Sequence, residues 1–337
     1  MIRLVYAQGD PAARGRSLGR ALRGEIEASL AFYRGLLAER RVAPGELTCL
    51  LAPYRAAAEA ALPALVAQLD AAAEAAGVPA DELLAVNAWE ELDPLLAAEE
   101  VAAGRCTTFT AVAPGTTILA HSEHWFAADA GSVALIVERP GDGSPTLVSP
   151  TIAACLPAVG MNAHRVAQGI DSLSARDDGA GIPRVLVSRH ALEANGRSDA
   201  VARAGLAGRA GGYGHVFALP GGEAFAVETT ARRLAVLEGP GGHTNHYLDP
   251  ELAELGPEPG ESSLARHSRL TELLAERAPQ TPEDAMTILR DEGVGPRSAG
   301  YATVFSLVCE VESGRMWLAD GDPRERPFEE VELADVV

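Results

Sequence analysis

The segment Gly104-Arg-Cys-Thr-Thr-Phe109 carries the residue types from which a self-activating nucleophile can be built. Cys106 stands where a helical stretch gives way to a β-type run and is followed by two threonines. A thiol in that place can attack the carbonyl of the peptide bond behind it, here that of Arg105. Hydrolysis of the resulting thioester frees an α-amine on the cysteine itself. Such an amine titrates near ~8, well below a lysine, and can act as the local base for its own thiol. The opposing reading is that a free cysteine is a small buried apolar residue, and spacing alone leaves both open.

Other chemistry is offered less convincingly. His121-x-x-His124 with Glu123 between them, and His243-x-x-His246, are ligand types for zinc. The first pair lies on or beside a strand, where alternation sends i and i+3 to opposite faces, and no cysteine pair completes the set. No metal is expected. Gly15-Arg-Ser-Leu-Gly19 has the spacing of a nucleophile elbow, but Ser17 falls within a helical stripe rather than a strand-to-helix turn. The glycine clusters at 208–214 and 239–242 lack the context of a dinucleotide loop and read as turns. Cys49, Cys106, Cys155 and Cys309 are scattered and read as reduced thiols.

Composition removes whole classes of function. All 28 basic residues are arginine, so Schiff-base chemistry, a pyridoxal phosphate anchor and a phosphate-loop lysine are excluded. Against 47 acidic residues they leave a net charge of −19, which repels nucleic acid and anionic membrane surfaces. There is no sustained apolar run near the start and no stretch of eighteen apolar residues. The expectation is a cytoplasmic protein of 337 residues with neither nucleic-acid nor membrane partners.

The elements that must position Cys106 follow from periodicity. Leu18, Leu22, Ile26, Leu30, Tyr33 and Leu37 recur at helical spacing and predict one amphipathic helix. A second is predicted over 45–70, bent at Pro63, and a third after Gly77-Val-Pro79. Beyond Gly104 the pattern changes to strands. A hairpin is predicted over 106–112 and 116–120 around Ala113-Pro-Gly115, and further strands over 133–138, 146–149, 215–219, 224–227 and 233–237. Helices are predicted over 183–193 and 262–277, with another capped by Thr281-Pro-Glu-Asp284. A closing hairpin over 302–311 and 315–319 turns at Glu312-Ser-Gly314, and the acidic tail Glu329–Asp335 reads as a solvated edge. Antiparallel strands with inserted helices predict an α+β fold. The boundary falls at Arg105/Cys106: 1–105 a helical segment, 106–337 the catalytic segment, the two forming one compact unit.

Several fragments, in order, resemble the acyl-coenzyme A:6-aminopenicillanic acid acyltransferase (isopenicillin N acyltransferase) family of N-terminal-nucleophile hydrolases. They are Arg16-Ser-Leu-Gly19, Gly77-Val78, Leu84-Ala-Val-Asn87 with Glu91, Cys106-Thr-Thr108, Gly160-Met-Asn162, His243-Thr-Asn-His246, Arg266-His-Ser-Arg269 and Ala302-Thr-Val-Phe305. The resemblance implies a four-layer αββα sandwich, self-cleavage between Arg105 and Cys106, and a mature pair of 105 and 232 residues. It also implies a Cys106 thioester route for acyl transfer or amide hydrolysis, with Asn245 donating to the oxyanion. Where the family shows Gln-Asn-x-Asp-Trp, this chain reads His121-Ser-Glu-His-Trp125, so Ser122 and His124 stand at the family's Asn and Asp positions and are expected to tune the nucleophile. Arg105 replaces the usual glycine before the cut, and an arginine expected before the last long strand is replaced near Gly300-Tyr301.

Thr107, Trp125 and Tyr301 are the expected substrate contacts. No cofactor is expected, although the acyl donor could be an acyl-coenzyme A or an acyl-carrier protein. The expected partners are a small-molecule acyl donor, an amine acceptor and the chain's own cleaved first segment. The expectation is thus an acyltransferase or amidohydrolase of secondary metabolism. An uncleaved binding or scaffold member of the same fold is the alternative, and a metal-dependent hydrolase using the two histidine pairs is a third reading.

Overall fold

The computed structural model describes residues 2–96, 106–296 and 300–331. Two sheets form its centre. The larger has the order β1 (Arg3–Gly9), β4 (Val133–Pro140), β5 (Leu147–Ile152), β6 (Gly160–Asn162), β7 (Ala167–Leu173), β8 (Gly212–Leu219), β9 (Glu223–Thr229) and β10 (Leu234–Glu238). The smaller has the order β11 (Gly242–His243), β2 (Thr107–Ala113), β3 (Thr116–Phe126), β12 (Tyr301–Glu310), β13 (Arg315–Ala319) and β14 (Glu329–Val331). Every pairing is antiparallel except β1 with β4.

The sheets pack face to face, β2 and β3 against β7, β8 and β9. Helices cover both outer faces. On the larger sheet lie α1 (Pro11–Ala21), α4 (Pro63–Ala76), α7 (Arg184–Ala191) and α8 (Arg197–Ala204), and around this end pack α2 (Arg23–Glu39), α3 (Pro44–Ala61), α5 (Ala80–Asn87) and α6 (Trp89–Leu96). On the smaller sheet lie α10 (Glu261–Arg277) and α11 (Pro282–Leu289), preceded by the single turn α9 (Pro250–Ala253). The result is the expected αββα sandwich, with apolar residues filling both the inter-sheet space and the outer helix–sheet layers.

The two segments on either side of Arg105/Cys106 interlock. β1, from the first, adds an edge strand to the sheet of the second. Glu138 of β4 is completely buried and gathers Arg14 of α1, Gln68 of α4 and Arg189 of α7. Asn87 of α5 satisfies the backbone of Ala154 and Leu156, and Asp129 accepts hydrogen bonds from Ser29 and Tyr33.

Some expectations need correction. The stripe from Leu18 to Leu37 is two helices broken at Leu22, which is fully buried, so the apolar face runs on through the break. The predicted bend at Pro63 is a true break: Pro63 starts α4, where its missing N–H costs nothing. The first hundred residues also contain β1, and the acidic tail begins as edge strand β14.

Candidate active site

The hairpin places Cys106. Gly115 takes φ 79° at the turn, Ala113 pairs with Thr116, and the register runs back to Thr107 opposite Ser122. One step further, Cys106 stands opposite Glu123. Alternation then sorts the side chains. Cys106, Thr108, His121 and Glu123 face the larger sheet, while Thr107, Ser122 and His124 face the helices beyond.

On the inner face the Cys106 Sγ lies 3.0 Å from Glu123 Oε1, and Glu123 Oε2 lies 3.2 Å from His121 Nε2. His121 Nδ1 is 2.8 Å from Thr108 Oγ1. A carboxylate accepts, so His121 donates to Glu123 through Nε2. Gly169 of β7 makes this row possible, because a Cβ there would sit 2.6 Å from Thr108 Cγ2 and 3.2 Å from His121 Nδ1. Burial first, then the negative charges of Glu123 and Asp171, pushes the Cys106 thiol well above its usual value. The three donor atoms are near enough to share a cation, but their hydrogen bonds already satisfy one another.

The cysteine backbone is gripped from the other side. Cys106 N donates to Asn245 Oδ1 at 3.0 Å, and Asn245 Nδ2 donates to the Ser172 carbonyl at 3.3 Å. Arg266 of α10, fully buried, donates to the Cys106 carbonyl, to Thr107 Oγ1 at 2.9 Å and to Asn245 Oδ1 at 2.9 Å. The Asn245 backbone is tied to Ser263 Oγ at 2.9 Å.

Asn245 owes its place to His243. Asp171, Gly214 and Glu228 lie side by side across β7, β8 and β9. The His243 ring sits over Gly214, where a Cβ would fall 2.2 Å from its Cε1. Its Nδ1 is 3.2 Å from Asp171 and its Nε2 3.0 Å from Glu228. Burial opposes the charged ring, but the hydrogen bonds and charges of the two carboxylates outweigh it and raise the pKa to about 10. Glu228 also accepts from the amides of Leu248 and Asp249, closing the loop that carries Asn245.

A cavity of about 730 Å³ reaches Asn245. Tyr54, Glu90, Glu91, Asp178, Arg184 and Tyr247 are among its walls. Glu90 accepts hydrogen bonds from Ser172 and Tyr213, so it stands one residue from the carbonyl that holds Asn245.

The expected site residues divide accordingly. Cys106 and Asn245 are brought together. Ser122 and His124 are not part of this cluster: Ser122 pairs with Ser306 at 2.7 Å, and His124 contacts Thr303 at 3.0 Å and the Val294 carbonyl at 3.3 Å. Burial, then the charge of Arg266, holds the His124 pKa well below its usual value, so the ring is neutral. Thr107 is fully buried on that same outer face, bonded to the Val294 carbonyl at 2.9 Å, and cannot meet substrate there. Trp125 shares the Glu123 face but donates to Tyr33 Oη at 2.7 Å and does not border the cavity. Tyr301 stacks on Phe126 and borders a different depression, beside Arg3 and Arg324. Arg105 lies outside the described residues.

Glu123 and His121, weighed from sequence only as metal ligands, and Arg266, which had no assigned role, complete the cluster. As strand alternation required, His121 and His124 point apart.

The family model for acyl-coenzyme A:6-aminopenicillanic acid acyl-transferase matches residues 113–325. A curated relative from Emericella nidulans, the acyl-coenzyme A:6-aminopenicillanic-acid-acyltransferase 40 kDa form, is 27% identical over 283 residues, covering 80% of this chain and 77% of the relative. Penicillin V acylase from Agrobacterium tumefaciens is similar in structure, with a TM-score of 0.48 and 11% identity, covering 68% of this chain and 86% of that one.

Proposed function

The chain belongs to the acyl-coenzyme A:6-aminopenicillanic acid acyl-transferase family, and from that premise we propose that it is a self-processing cysteine N-terminal-nucleophile enzyme. It acts through a Cys106 thioester on a small-molecule amide or activated acyl donor. The observation that carries this reading is the pairing of Cys106 Sγ with Glu123 at 3.0 Å while its nitrogen meets Asn245 at 3.0 Å.

In the uncut chain the Cys106 nitrogen is an amide and cannot take a proton. The first deprotonation therefore falls to Glu123, with His121 steadying the far oxygen. The sulfur attacks the Arg105 carbonyl carbon, the peptide C–N bond breaks, and the nitrogen leaves protonated. Water then hydrolyses the thioester. The freed amine next serves as base for acylation by substrate. Asn245, its oxygen held by Arg266, gives one Nδ2 hydrogen to the Ser172 carbonyl and has a second to donate to the oxyanion. Water as the final acceptor makes the enzyme an amidohydrolase; an amine makes it an acyltransferase. Of the two we favour the transferase direction, because the Emericella nidulans relative is named an acyltransferase; a place in secondary metabolism is part of the same proposal.

Intact-mass measurement on the purified protein tests the proposal. The expected result is two fragments of 105 and 232 residues from the 337, absent in Cys106→Ala. A single full-length chain that no thiol-directed acyl probe labels would favour an uncleaved scaffold, the reading supported by the burial of Cys106 in the intact chain.

A further inference from the structure

On the face of the smaller sheet that meets the larger, Cys106 Sγ, a ring nitrogen of His121 and a carboxylate oxygen of Glu123 all lie within 4.8 Å of one another. Two hydrogen bonds link them, 3.0 Å from sulfur to Glu123 Oε1 and 3.2 Å from His121 Nε2 to Glu123 Oε2. Each bond is carried by one proton, on sulfur in the first and on Nε2 in the second, and a cation can replace both. The donors are not the histidine pairs of the sequence pattern. His121 and Glu123 share a face because they are two apart on β3, and the sulfur reaches them across the hairpin. The family pattern has glutamine at 121 and any residue at 123, so this donor set is read from the chain's own residues.

We propose that Cys106 Sγ, His121 Nε2 and Glu123 form a zinc site that holds the nucleophile in a reversible, silent state. The site stands on its geometry; the silencing rests on the Cys106 reading above. Thiolate, imidazole and carboxylate together suit zinc, whereas magnesium and calcium take oxygen. A tetrahedral zinc sets its ligands about 3.3 to 3.6 Å apart, which side-chain rotation reaches from these separations. The negative charges of Glu123 and Asp171 that act on the sulfur oppose a bare thiolate and favour one neutralised by a divalent ion. Thr108 Oγ1 stands 2.8 Å from His121 Nδ1. With Nε2 on the metal, the ring keeps its proton at Nδ1 and donates it to that hydroxyl, the kind of partner that orients a zinc-bound imidazole. The thiol proton leaves to solvent and no electron moves. Glu123 has 13% of its side chain exposed and His121 none, so the ion enters over the carboxylate. A fourth position remains for water or, after cleavage, for the freed amine of Cys106.

The test uses the purified full chain, stripped with a chelator and titrated with zinc chloride, with cobalt chloride as the spectroscopic probe. One zinc per chain is expected, together with a thiolate-to-cobalt charge-transfer band in the near ultraviolet. Zinc should slow alkylation of Cys106 by iodoacetamide and its acylation by 4-nitrophenyl hexanoate, and chelator should restore both. In the acylation the sulfur bonds to the carbonyl carbon and nitrophenolate leaves. Cys106→Ala should abolish the band. His121→Gln should weaken zinc by about 100-fold or more and Thr108→Val by about tenfold, and either keeps the test open should the other fail to fold. Cys49→Ser, at an exposed thiol, and His124→Gln, on the opposite face, should bind zinc as the wild type does. Zinc bound equally well by Cys106→Ala or His121→Gln, or no bound zinc and no band, would overturn the site; Cys106 acylated at an unchanged rate in zinc would do so while leaving the Cys106 reading intact. The expected band and alkylation block on a protein that the ester never acylates would support the site and overturn that reading.

Discussion

The sulfur of Cys106 and the carboxylate of Glu123 meet at 3.0 Å because the two residues extend the β2–β3 register by one step beyond Thr107 and Ser122. This places a proton acceptor beside the thiol while the Cys106 nitrogen is still an amide. In the proposed mechanism the acid–base role thus falls to Glu123, one residue along β3 from the family's Asp position and on the other face of the sheet.

Glu123→Gln keeps the shape and loses the proton acceptor. Cleavage before Cys106 is expected to slow by about 100-fold or more. His124→Gln, on the opposite face, is expected to cleave at a rate close to wild type. The time course of fragment appearance by intact mass distinguishes them. Equal slowing in both variants would mean that the hydrogen bond from Cys106 to Glu123 has no part in the reaction.

That assignment was within reach of the sequence. A hairpin closing on Pro114-Gly115 pairs Ala113 with Thr116, and counting back pairs Cys106 with Glu123. The family's Asp position falls instead on His124, whose side chain lies on the opposite face. By contrast, Asp171 and Glu228 lie 72 and 15 residues from His243, and they come together only through the strand order of the larger sheet. No local pattern encodes that meeting. β1 escaped for a related reason: its partner β4 starts 130 residues later, and Leu4 and Tyr6 face solvent, so it lacks the look of a buried strand. The Cys-Thr-Thr and His-Thr-Asn-His fragments were legible because each is a short contiguous run.

The His124 ring carries a second, separable consequence. Together with His215, held at about 3 by burial first, and His246, held at about 4 by burial first, it is neutral when folded. The unfolded chain takes up these protons near pH ~6.5, so stability should decline as pH falls from there toward the folded values. Urea unfolding of Cys106→Ala at pH 7 and pH 5 is expected to show a lower midpoint at pH 5. His124→Gln should reduce that difference, and an unchanged difference would remove His124 from the account.

Glu138 is the knot between the two segments. It accepts from Arg189 at 2.7 Å, lies 3.3 Å from Arg14 Nε, and is itself fully buried. Among the described carboxylates, removing it leaves buried Arg189 with Glu193 alone, at 2.8 Å, and buried Arg14 with only Asp142, at 3.9 Å. Glu138→Ala is expected to cost about 3 to 5 kcal/mol, measured by denaturant unfolding in the uncut Cys106→Ala background where the chain is single. In the cleaved protein the same change should let the two fragments separate on a sizing column at denaturant concentrations at which the wild type still elutes as one. A loss below about 1 kcal/mol would show that β1 and the helix packing hold the segments without it.

His243 couples the charge of the larger sheet to the position of Asn245. Its ring is gripped at both nitrogens, so it must be an imidazolium to donate to both Asp171 and Glu228. The folded pKa, about 10, lies above the unfolded value near ~6.5. A raised folded pKa means that the stabilisation is complete below pH ~6.5 and is lost as pH rises from there through about 10. His243→Gln can still bridge but carries no charge. It should therefore be less stable than wild type at pH 6.5, with the gap narrowing steadily by pH 10; the paired comparison removes the contribution of tyrosines and thiols that titrate in the same range. The variant should also cleave more slowly, because a neutral amide holds the loop to Asn245 less firmly while Glu123 is untouched. Parallel stability curves for the two proteins between pH 6.5 and 10 would mean that the ring is neutral in the fold and that Asn245 is positioned by Arg266 and Ser263 alone.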